Sequence, residues 1–407
     1  MKCTCKTATF LAFVTLLSAG PAFTQIPTPD ASPESSSSPV AYVYVQTHQG
    51  VDVFDSSSSG KLTLVKGSPF STTGQMGGVT ASHLISMGTD DVHVYAVKST
   101  GAVGEQQGEV DTQKYGGAEC GNTTGLSTFL DHTGKYYYLQ LSGIFDGGSV
   151  ACVAWQSYEL KSNGTLDFLG SLEYNGGEGH DATPSSLPTV SSNDKFAYGI
   201  FNQFSGFDYT SFATLKRASS GDLEVIPNFK ETDPQADQNV PNGPWAFFPV
   251  AVQADPSSHL AVLLQNQSFA GCCGYDGPLQ LASYSINSST GSVSSTNKYE
   301  DMPTPTVTVG EMEMSPSGKL LALAGSGLQI FHFNGSSPIT AFGSALLPGV
   351  SIDQLAWDKN NHLYALSYGT NKLYVYTVTT TSINEVAGSP LTVDNAYGIS
   401  GLVVVPK

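Results

Sequence analysis

The sequence predicts an all-β protein: a seven-bladed β-propeller with four-stranded antiparallel blades, in which the C-terminal strand closes the ring by joining the N-terminal blade. Three observations lead to this fold. A short polar turn between two β-like runs recurs seven times, the two ends of the chain supply complementary parts of one blade, and the 407 residues combine 43 glycines and 19 tyrosines with 13% charged residues. Frequent turn residues between short β-like segments are typical of all-β folds.

The N-terminal segment, residues 1–24, has the features of a secretory signal peptide. Two lysines precede an apolar run from Ala8 to Leu17, and small residues follow it. The run is too short to span a bilayer, and we expect cleavage between Ala19 and Gln25. The first two cysteines precede the apolar run and would leave with the signal peptide, so no lipid anchor is indicated.

Residues 25–40, QIPTPDASPESSSSPV, form a leader rich in proline and serine. Such a segment cannot bury enough apolar surface to offset its ordering entropy, so we expect it to be disordered. The propeller is assigned to residues 41–407, where no apolar stretch is long enough for a membrane span. The mature protein is therefore expected in the periplasm or outside the cell, without a membrane anchor and as a monomer.

The charge balance restricts the kinds of partner. The formal net charge is −17, and Arg217 is the only arginine. Nucleic acids and anionic membranes are bound through clustered lysine and arginine, which this chain lacks. The composition therefore favours a neutral or cationic ligand over a nucleic acid or an anionic lipid surface.

The recurring turn joins a short apolar strand to a β-rich strand in each repeat. Its copies lie about 40 to 65 residues apart, and a four-stranded propeller blade takes about 40 to 50 residues. A third strand and a less apolar fourth strand follow, so one interval corresponds to one blade. The seven copies are Ser82-His83, Asp131–Lys135, Ser192–Lys195, Asp255–His259, Ser315–Lys319, Asp358–His362 and Pro406-Lys407.

The two ends of the propeller region complement each other. An inner strand, Gly401–Val405, precedes the last turn, whereas the N-terminal part starts at Ala41 with a strand of the second type and has no inner strand before it. The C-terminal strand is therefore expected to complete the N-terminal blade. Such closure pairs the strand edges that an open array would expose.

The repeats resemble those of the seven-bladed YVTN-repeat propellers, whose relatives include the bacterial lactonase-type propellers. The resemblance covers residues 41–407 and implies the propeller fold. It implies little about activity, because one fold hosts many functions. The segments that carry the likeness are Tyr42–Val45, Gly60–Phe70, Asp131–Lys135, Ser315–Lys319, Tyr374–Tyr376 and Ala387–Leu391.

Blades three, four and five carry extra residues between their second and third strands, at 142–152, 202–211 and 265–278. In a propeller these loops share a face with the connections between blades, and the long connections 175–182 and 231–247 adjoin them. Aromatic faces among carboxylates suit a small molecule, a sugar, a peptide or a protein ligand. The same rings could instead only pack the loops onto the barrel mouth. The candidate ligand-binding residues of this rim are Phe145, Phe204, Phe207, Tyr209, Trp245, Phe269 and Tyr275.

Four cysteines, Cys120, Cys152, Cys272 and Cys273, lie on the same face and allow three disulfide pairings. Adjacent Cα atoms are about 3.8 Å apart, below the usual range for a disulfide, so a Cys272–Cys273 bond needs a strained ring. The preferred pairing is Cys120 with Cys152 and Cys272 with Cys273, and cross-linking of blades three and five is the alternative. A thiolate metal site is disfavoured because no C-x₂-C spacing accompanies the pair.

Three sets of residues, composed mainly of acidic side chains, could take part in catalysis or metal binding. Glu178, His180 and Asp181 lie together in a connection at the channel mouth and could act as a general base with an activated water, or could simply be a polar loop. The second group, at the starts of inner strands, could face the channel. The third lies on neighbouring loops and could bind calcium, although its spacing gives no support. The second group is Glu311, Glu313 and Asp353, and the third is Asp146, Asp208 and Asp276.

Several features disfavour an enzyme. The motifs of nucleophilic hydrolases, c-type haem attachment and zinc proteases are missing. Lactonase relatives often carry a Pro-His pair where an inner strand begins, and the matching place reads Leu187-Pro-Thr189. The phosphorylated sugar lactone on which a related enzyme acts would also need a cationic pocket, and this chain has only one arginine. We therefore expect a secreted binding or scaffolding module with its ligand face above blades three to five, and without cofactor or metal; the alternative is a lactonase-like hydrolase.

Overall fold

The computed structural model describes residues 38–115, 120–145, 151–174, 181–204, 208–240, 243–268, 275–398 and 400–407. The predicted signal peptide and most of the leader lie outside them. Within the described residues the chain forms seven sheets of mainly antiparallel strands, each corresponding to one blade, and two short 3₁₀ helices, Gln113–Tyr115 and Tyr299–Asp301. No helix in this part of the chain has the length and apolar character needed to cross a membrane.

The first four blades follow one another along the chain. Blade one contains β1 (Ala41–Thr47), β2 (Gly50–Ser56) and β3 (Leu62–Leu64). Blade two contains β4 (Gln75–Val79), β5 (His83–Met87), β6 (Asp91–Val97) and β7 (Val103–Asp111). Blade three contains β8 (Cys120–Leu130), β9 (Tyr136–Phe145), β10 (Ala151–Leu160) and β11 (Leu166–Tyr174). Blade four contains β12 (Asp181–Val190), β13 (Phe196–Phe204), β14 (Asp208–Arg217) and β15 (Leu223–Val225).

The remaining strands form blades five to seven and the closing strand. Blade five contains β16 (Glu231–Thr232), β17 (Ala246–Ala254), β18 (His259–Ser268), β19 (Tyr275–Ile286) and β20 (Val293–Ser294). Blade six contains β21 (Val309–Met314), β22 (Leu320–His332), β23 (Thr340–Ala341) and β24 (Leu346–Ser351). Blade seven contains β25 (Gln354–Trp357), β26 (His362–Ser367), β27 (Lys372–Val378), β28 (Ile383–Glu385) and β29 (Leu391–Thr392). The last strand is β30 (Leu402–Pro406).

The last strand closes the ring as predicted. β30 pairs antiparallel with β1, from Ala41 opposite Pro406 to Val45 opposite Leu402, and gives blade one the order β3-β2-β1-β30. In blade six, β22 supplies both the second and third strands, because a hydrogen bond from the Phe333 N–H to the Lys319 carbonyl closes its two ends into a hairpin. All seven blades thus share one plan of antiparallel strands, to which blade five adds a short parallel pairing of β16 with β20 at its outer edge.

The recurring turn is held by its first side chain. In blade three the Asp131 carboxylate accepts hydrogen bonds from the backbone N–H groups of Lys135 and Tyr136, both at 3.0 Å. In blade six the Ser315 hydroxyl accepts one from the N–H of Leu320 at 3.1 Å. An Asp or Ser at this position satisfies backbone donors that the turn would otherwise leave unpaired, which explains why these residue types recur.

Tyrosine hydroxyls join neighbouring blades at three junctions. In each, a tyrosine of one blade donates to the backbone carbonyl of a glycine in the next blade's outer turn. The glycine has a positive φ and lies against the aromatic ring two residues before the tyrosine, so a side chain there would clash. This arrangement explains the spacing of two between aromatic residues in the repeat. The pairs are Tyr44 with Gly101, Tyr138 with Gly221 and Tyr198 with Gly291, at 2.9, 3.1 and 2.9 Å.

The extra residues of blades three to five were expected to form loops, and this expectation is wrong for most of them. They continue as strand: β9, β10 and β18 have 10 residues each and β19 has 12, whereas β26 has 6 and β27 has 7. Backbone pairing holds these residues in long hairpins, because ladder hydrogen bonds satisfy donors and acceptors that a loop would leave to water. The hairpin tips, 146–150, 205–207 and 269–274, lie outside the described residues.

Candidate functional site

A cavity of about 830 Å³ occupies the centre of the ring. Residues of seven inner strands line it, one strand from each blade: β4, β8, β12, β17, β21, β25 and β30. The cavity follows from the topology, because the innermost strand of each blade presents its free edge to the axis. It is the place where side chains from all seven blades come together.

Three carboxyl groups line this central cavity. Glu311 and Glu313 lie on β21, and Asp353 directly precedes β25. Side chains two residues apart on a strand point to the same face, so the Glu-Met-Glu-Met run directs both glutamates one way and packs Met312 and Met314 in the apolar cluster with blade five. The prediction that these three carboxyl groups face the channel is confirmed.

The described residues that line the cavity give these carboxyl groups no positively charged partner. Among the described residues that line it there is no lysine, arginine or histidine. Burial raises the pKa of Glu313 to about 8. Burial, and then the nearby Glu313 and Asp353 carboxyl groups, raise the pKa of Glu311 well above its ordinary value, although a hydrogen bond from the Leu355 N–H opposes the shift. Both shifts favour the protonated, neutral form of the two glutamates.

A polar row across blades four to six orients Glu313. Its Oε2 accepts a hydrogen bond from Gln253 Nε2 at 3.1 Å. The Oγ1 of Thr189 donates to Gln253 Oε1 at 3.4 Å and accepts from the Ala254 N–H at 3.0 Å. Sequence reasoning missed Thr189 and Gln253, because their side chains meet Glu313 only through the packing of three blades.

Asp353 is held differently from the two glutamates. Its Oδ2 accepts a hydrogen bond from the backbone N–H of Tyr368 at 2.7 Å, and its Oδ1 lies 3.5 Å from the donating hydroxyl of Ser351. Glu311 Oε2, in contrast, is buried and has no hydrogen-bond partner among the described residues. The cavity thus combines an acceptor fixed by the backbone with carboxyl groups that can both donate and accept.

The predicted rim lies largely outside the described residues. Glu178, His180, Phe207 and Phe269 fall outside altogether, and for another five predicted residues only the backbone is described. Those five are Phe145, Asp181, Phe204, Tyr209 and Tyr275, which stand at the tip ends of β9, β12, β13, β14 and β19.

Trp245 is the one predicted rim aromatic whose side chain is described. It is 9% exposed, and its ring packs so closely over Gly277 that an added Cβ there would lie 3.1 Å from the indole. Its Nε1 has no hydrogen-bond partner among the described residues. Trp245 therefore anchors the β18–β19 hairpin, and its role as a ligand contact remains a prediction.

The three aspartates considered for calcium are not brought together by any described contact. Asp146 lies outside the described residues, and of Asp208 only the backbone is described, at the start of β14. Asp276 is exposed and accepts a hydrogen bond from Gln267 Nε2 at 3.2 Å. Calcium binding at these loops remains a hypothesis without structural support.

One of the predicted disulfides is present. Cys120 on β8 and Cys152 on β10 are bonded, with Cα atoms 5.9 Å apart, so the preferred pairing is confirmed for these two residues. Cys272 and Cys273 lie outside the described residues. The bond cross-links the first and third strands of blade three beside its hairpin tip.

The single arginine lies away from the channel. Arg217 Nη1 contacts Asp131 Oδ2 at 2.8 Å, at the turn that joins β8 to β9. That turn is at the opposite end of the blade from the hairpin tips. The guanidinium group is therefore unavailable to a phosphate at the channel mouth.

Comparison with known proteins defines the fold class. No family model matches the chain, and no curated protein matches it in sequence. The structure is similar to that of a periplasmic gluconolactonase of Pseudomonas aeruginosa, with 13% identity, a TM-score of 0.58, and coverage of 90% of this chain and 99% of that one. A provisionally assigned 6-phosphogluconolactonase of Bacteroides fragilis gives 11% identity, a TM-score of 0.53, and coverage of 91% and 100%.

A third similar structure is a protein of Lactobacillus plantarum, with 11% identity, a TM-score of 0.52, and coverage of 88% of this chain and 97% of that one. At these identities the likeness concerns the fold. The chain is a seven-bladed β-propeller, and its structural neighbours include lactonase-type propellers.

Proposed function

We propose that the protein binds a neutral or cationic small molecule bearing hydroxyl or amino groups in its central cavity. The observation that carries this proposal is the carboxyl pair of Glu311 and Glu313 in a central cavity of about 830 Å³ whose described lining residues include no positively charged side chain. A protonated carboxyl group both donates and accepts, as a sugar hydroxyl requires. An ammonium group would instead take the place of the protons and pair with the carboxylates.

The rim forms the second part of the proposal. The aromatic residues predicted at the hairpin tips of blades three to five would extend the site at the channel mouth and take a sugar, a peptide or a protein segment. The signal peptide indicated by residues 1–24 would place this binding in the periplasm or outside the cell. The long hairpins of these three blades support the rim, because their strands are longer than those of blade seven.

A lactonase-like hydrolase is the second candidate function. The differently held carboxyl groups favour it: Asp353, fixed by the Tyr368 N–H, could accept a proton from an attacking water, and Glu311 or Glu313 could donate one to the leaving alkoxide. The ring would open to a hydroxy acid. Asp353 would hold the proton taken from water, and the proton given up by the glutamate would complete the new hydroxyl group. Because no lysine, arginine or histidine lines the described cavity, this proposal takes an unphosphorylated lactone as substrate.

A thermal-shift and turnover experiment tests both functions. D-glucose, D-glucono-1,5-lactone and spermidine are added separately, and ligand at about 100 times its Kd should stabilise the protein by about 2.7 kcal/mol, a rise of a few degrees in Tm. Acid release from the lactone is followed in parallel. Glu313→Gln replaces a neutral carboxyl with a neutral amide and should abolish the shift, whereas Glu105→Gln, on the exposed edge of blade two, should leave it unchanged.

The outcomes separate the two functions. A Tm shift without acceleration of acid release supports binding alone, and acceleration that Glu311→Gln removes supports the hydrolase. If no compound shifts the wild-type Tm and no acid is released, or if Glu313→Gln behaves as the wild type does, the cavity is not the site.

A further inference from the structure

A second group of ligand-type side chains lies in blade two, away from the central cavity. Asp91 and His93 are two residues apart on β6 and share a face, and Glu109 on β7 is directly opposite His93 in the strand register. These strands form the outer half of the blade, whereas the cavity is lined by the innermost strands. The group is therefore independent of the proposed function.

The three side chains converge. His93 Nε2 lies 3.1 Å from Asp91 Oδ1, and His93 Nδ1 lies 3.6 Å from Glu109 Oε2. One ligand atom from each residue falls within 4.8 Å of the other two. In a tetrahedral site with bonds of about 2.0–2.1 Å, neighbouring ligand atoms are about 3.3 Å apart. The His93–Asp91 separation already matches that spacing, and the Glu109 side chain, which is 56% exposed, has room to move inward.

His93 provides the observation that points to a ligand. The residue is 5% exposed, yet neither ring nitrogen has a hydrogen-bond partner among the described residues, because the contacts to Asp91 and Glu109 lack hydrogen-bond geometry. Burying polar atoms without partners costs about 1–3 kcal/mol. A bound cation would satisfy one nitrogen and both carboxylates at once.

We propose that Asp91, His93 and Glu109 form a binding site for a divalent transition-metal ion of the zinc type. One imidazole nitrogen with two carboxylate oxygens is a donor set for zinc and similar ions, whereas calcium and magnesium prefer oxygen ligands alone. Three protein ligands leave a fourth position for water, on the side where Glu109 is exposed.

Neighbouring groups hold the ligands in place. Gln106 Nε2 donates to Glu109 Oε2 at 3.0 Å and orients that carboxylate. Asp91 Oδ1 packs against the backbone of Gly88, where a Cβ would lie only 1.9 Å away. Gly88 also lines a second cavity of about 610 Å³, between blades one and two.

The rival arrangement is a protonated His93 held between the two carboxylates without a metal. Binding of Zn²⁺ and Co²⁺ to tag-free full-length protein distinguishes the two, by calorimetry for Zn²⁺ and by visible absorption for Co²⁺. We expect one equivalent of each ion to bind. Glu109→Gln should weaken binding at least about tenfold, and His93→Gln should abolish it.

Glu105→Gln is the matched control, because Glu105 is exposed on the same strand outside the group. It should bind both ions as the wild type does. If the His93→Gln variant fails to fold, the Zn²⁺ affinity of Glu109→Gln decides between the two arrangements, because the Glu109 side chain is exposed. The proposal is overturned if neither ion binds, or if Glu109→Gln binds Zn²⁺ as tightly as Glu105→Gln.

Discussion

Replacing Asp358 with alanine is expected to lower the free energy of unfolding by about 3–5 kcal/mol, because it leaves several buried hydrogen-bond donors without their acceptor at about 1–3 kcal/mol each. The side chains of Asp358 and His362 are 1% and 2% exposed, and Asp358 Oδ2 contacts His362 Nδ1 at 2.7 Å. The same oxygen accepts a hydrogen bond from the Tyr364 hydroxyl at 3.0 Å, and that hydroxyl bonds Ser56 of blade one at 2.6 Å. The change therefore loosens the junction where blade seven meets the closing blade. Denaturant unfolding followed by tryptophan fluorescence measures the loss.

The pH dependence of the stability difference between the wild type and Asp358→Ala tests whether the Asp358 carboxylate is its source. Burial alone would raise the pKa of Asp358, but hydrogen bonds from His362 and Tyr364 outweigh it and hold the pKa below the ordinary value of 3.8. A carboxyl group with a lowered folded-state pKa stabilises the fold fully above its ordinary pKa, and that contribution is lost as the pH falls through the lower folded value. The difference between wild type and Asp358→Ala should thus be constant near neutral pH and shrink below about pH 4.

Asp301→Ala is the control for this prediction, because Asp301 is exposed. Its effect should stay within about 0.5 kcal/mol. A loss below about 1 kcal/mol for Asp358→Ala would show that the buried network contributes little to closure.

Replacing Arg217 with alanine should cost about 3 kcal/mol, since it leaves a buried carboxylate without its cation. The Asp131 side chain is 1% exposed, Arg217 is 22% exposed, and the guanidinium carbon lies 4.8 Å from the centre of the Tyr136 ring. The pair joins the turn of blade three to blade four. Arg217→Lys keeps the charge but loses the planar fork, and should cost roughly half as much.

Lys216→Ala is the matched control, because Lys216 is the preceding residue and its ion pair with Glu224 is half-exposed. It should cost less than about 1 kcal/mol. Equal losses for Arg217→Ala and Lys216→Ala in denaturant unfolding would contradict the assignment. Folded Arg217→Ala should also keep any ligand binding of the wild type, because the residue lies away from the channel.

The sequence was informative wherever one repeat could be compared with another. Residues 401–405 could be placed as the closing strand because the N-terminal blade lacked an inner strand, and the antiparallel pairing of β30 with β1 confirms that placement. The alternation of Glu311 and Glu313 along one strand was enough to direct both at the channel.

Features that depend on contacts between blades or across strands could not be predicted. Gln253 reaches Glu313 from the neighbouring blade, and Glu109 faces His93 only because β6 and β7 pair in one particular register. The sequence signal for this group was a histidine two residues after an aspartate on one strand, but the third residue of the group, Glu109, lies on another strand. The extended hairpins were missed because Gly-rich and polar residues in them are typical of loops, and ladder pairing overrides that preference.

The protonation state of the channel carboxyl groups tests the central claim most directly. Infrared difference titration of the wild type against Glu313→Gln follows this one carboxyl group through the pH range. We predict a carboxyl group that loses its proton near pH 8 in the wild type and is missing from the variant. Because the raised folded-state pKa exceeds the unfolded one, the stability of the wild type relative to the variant should also fall as the pH rises from about 4.5 towards 8. If Glu313 instead titrates near its ordinary value of 4.5, the cavity holds an ordinary solvated carboxylate and the proposed site is contradicted.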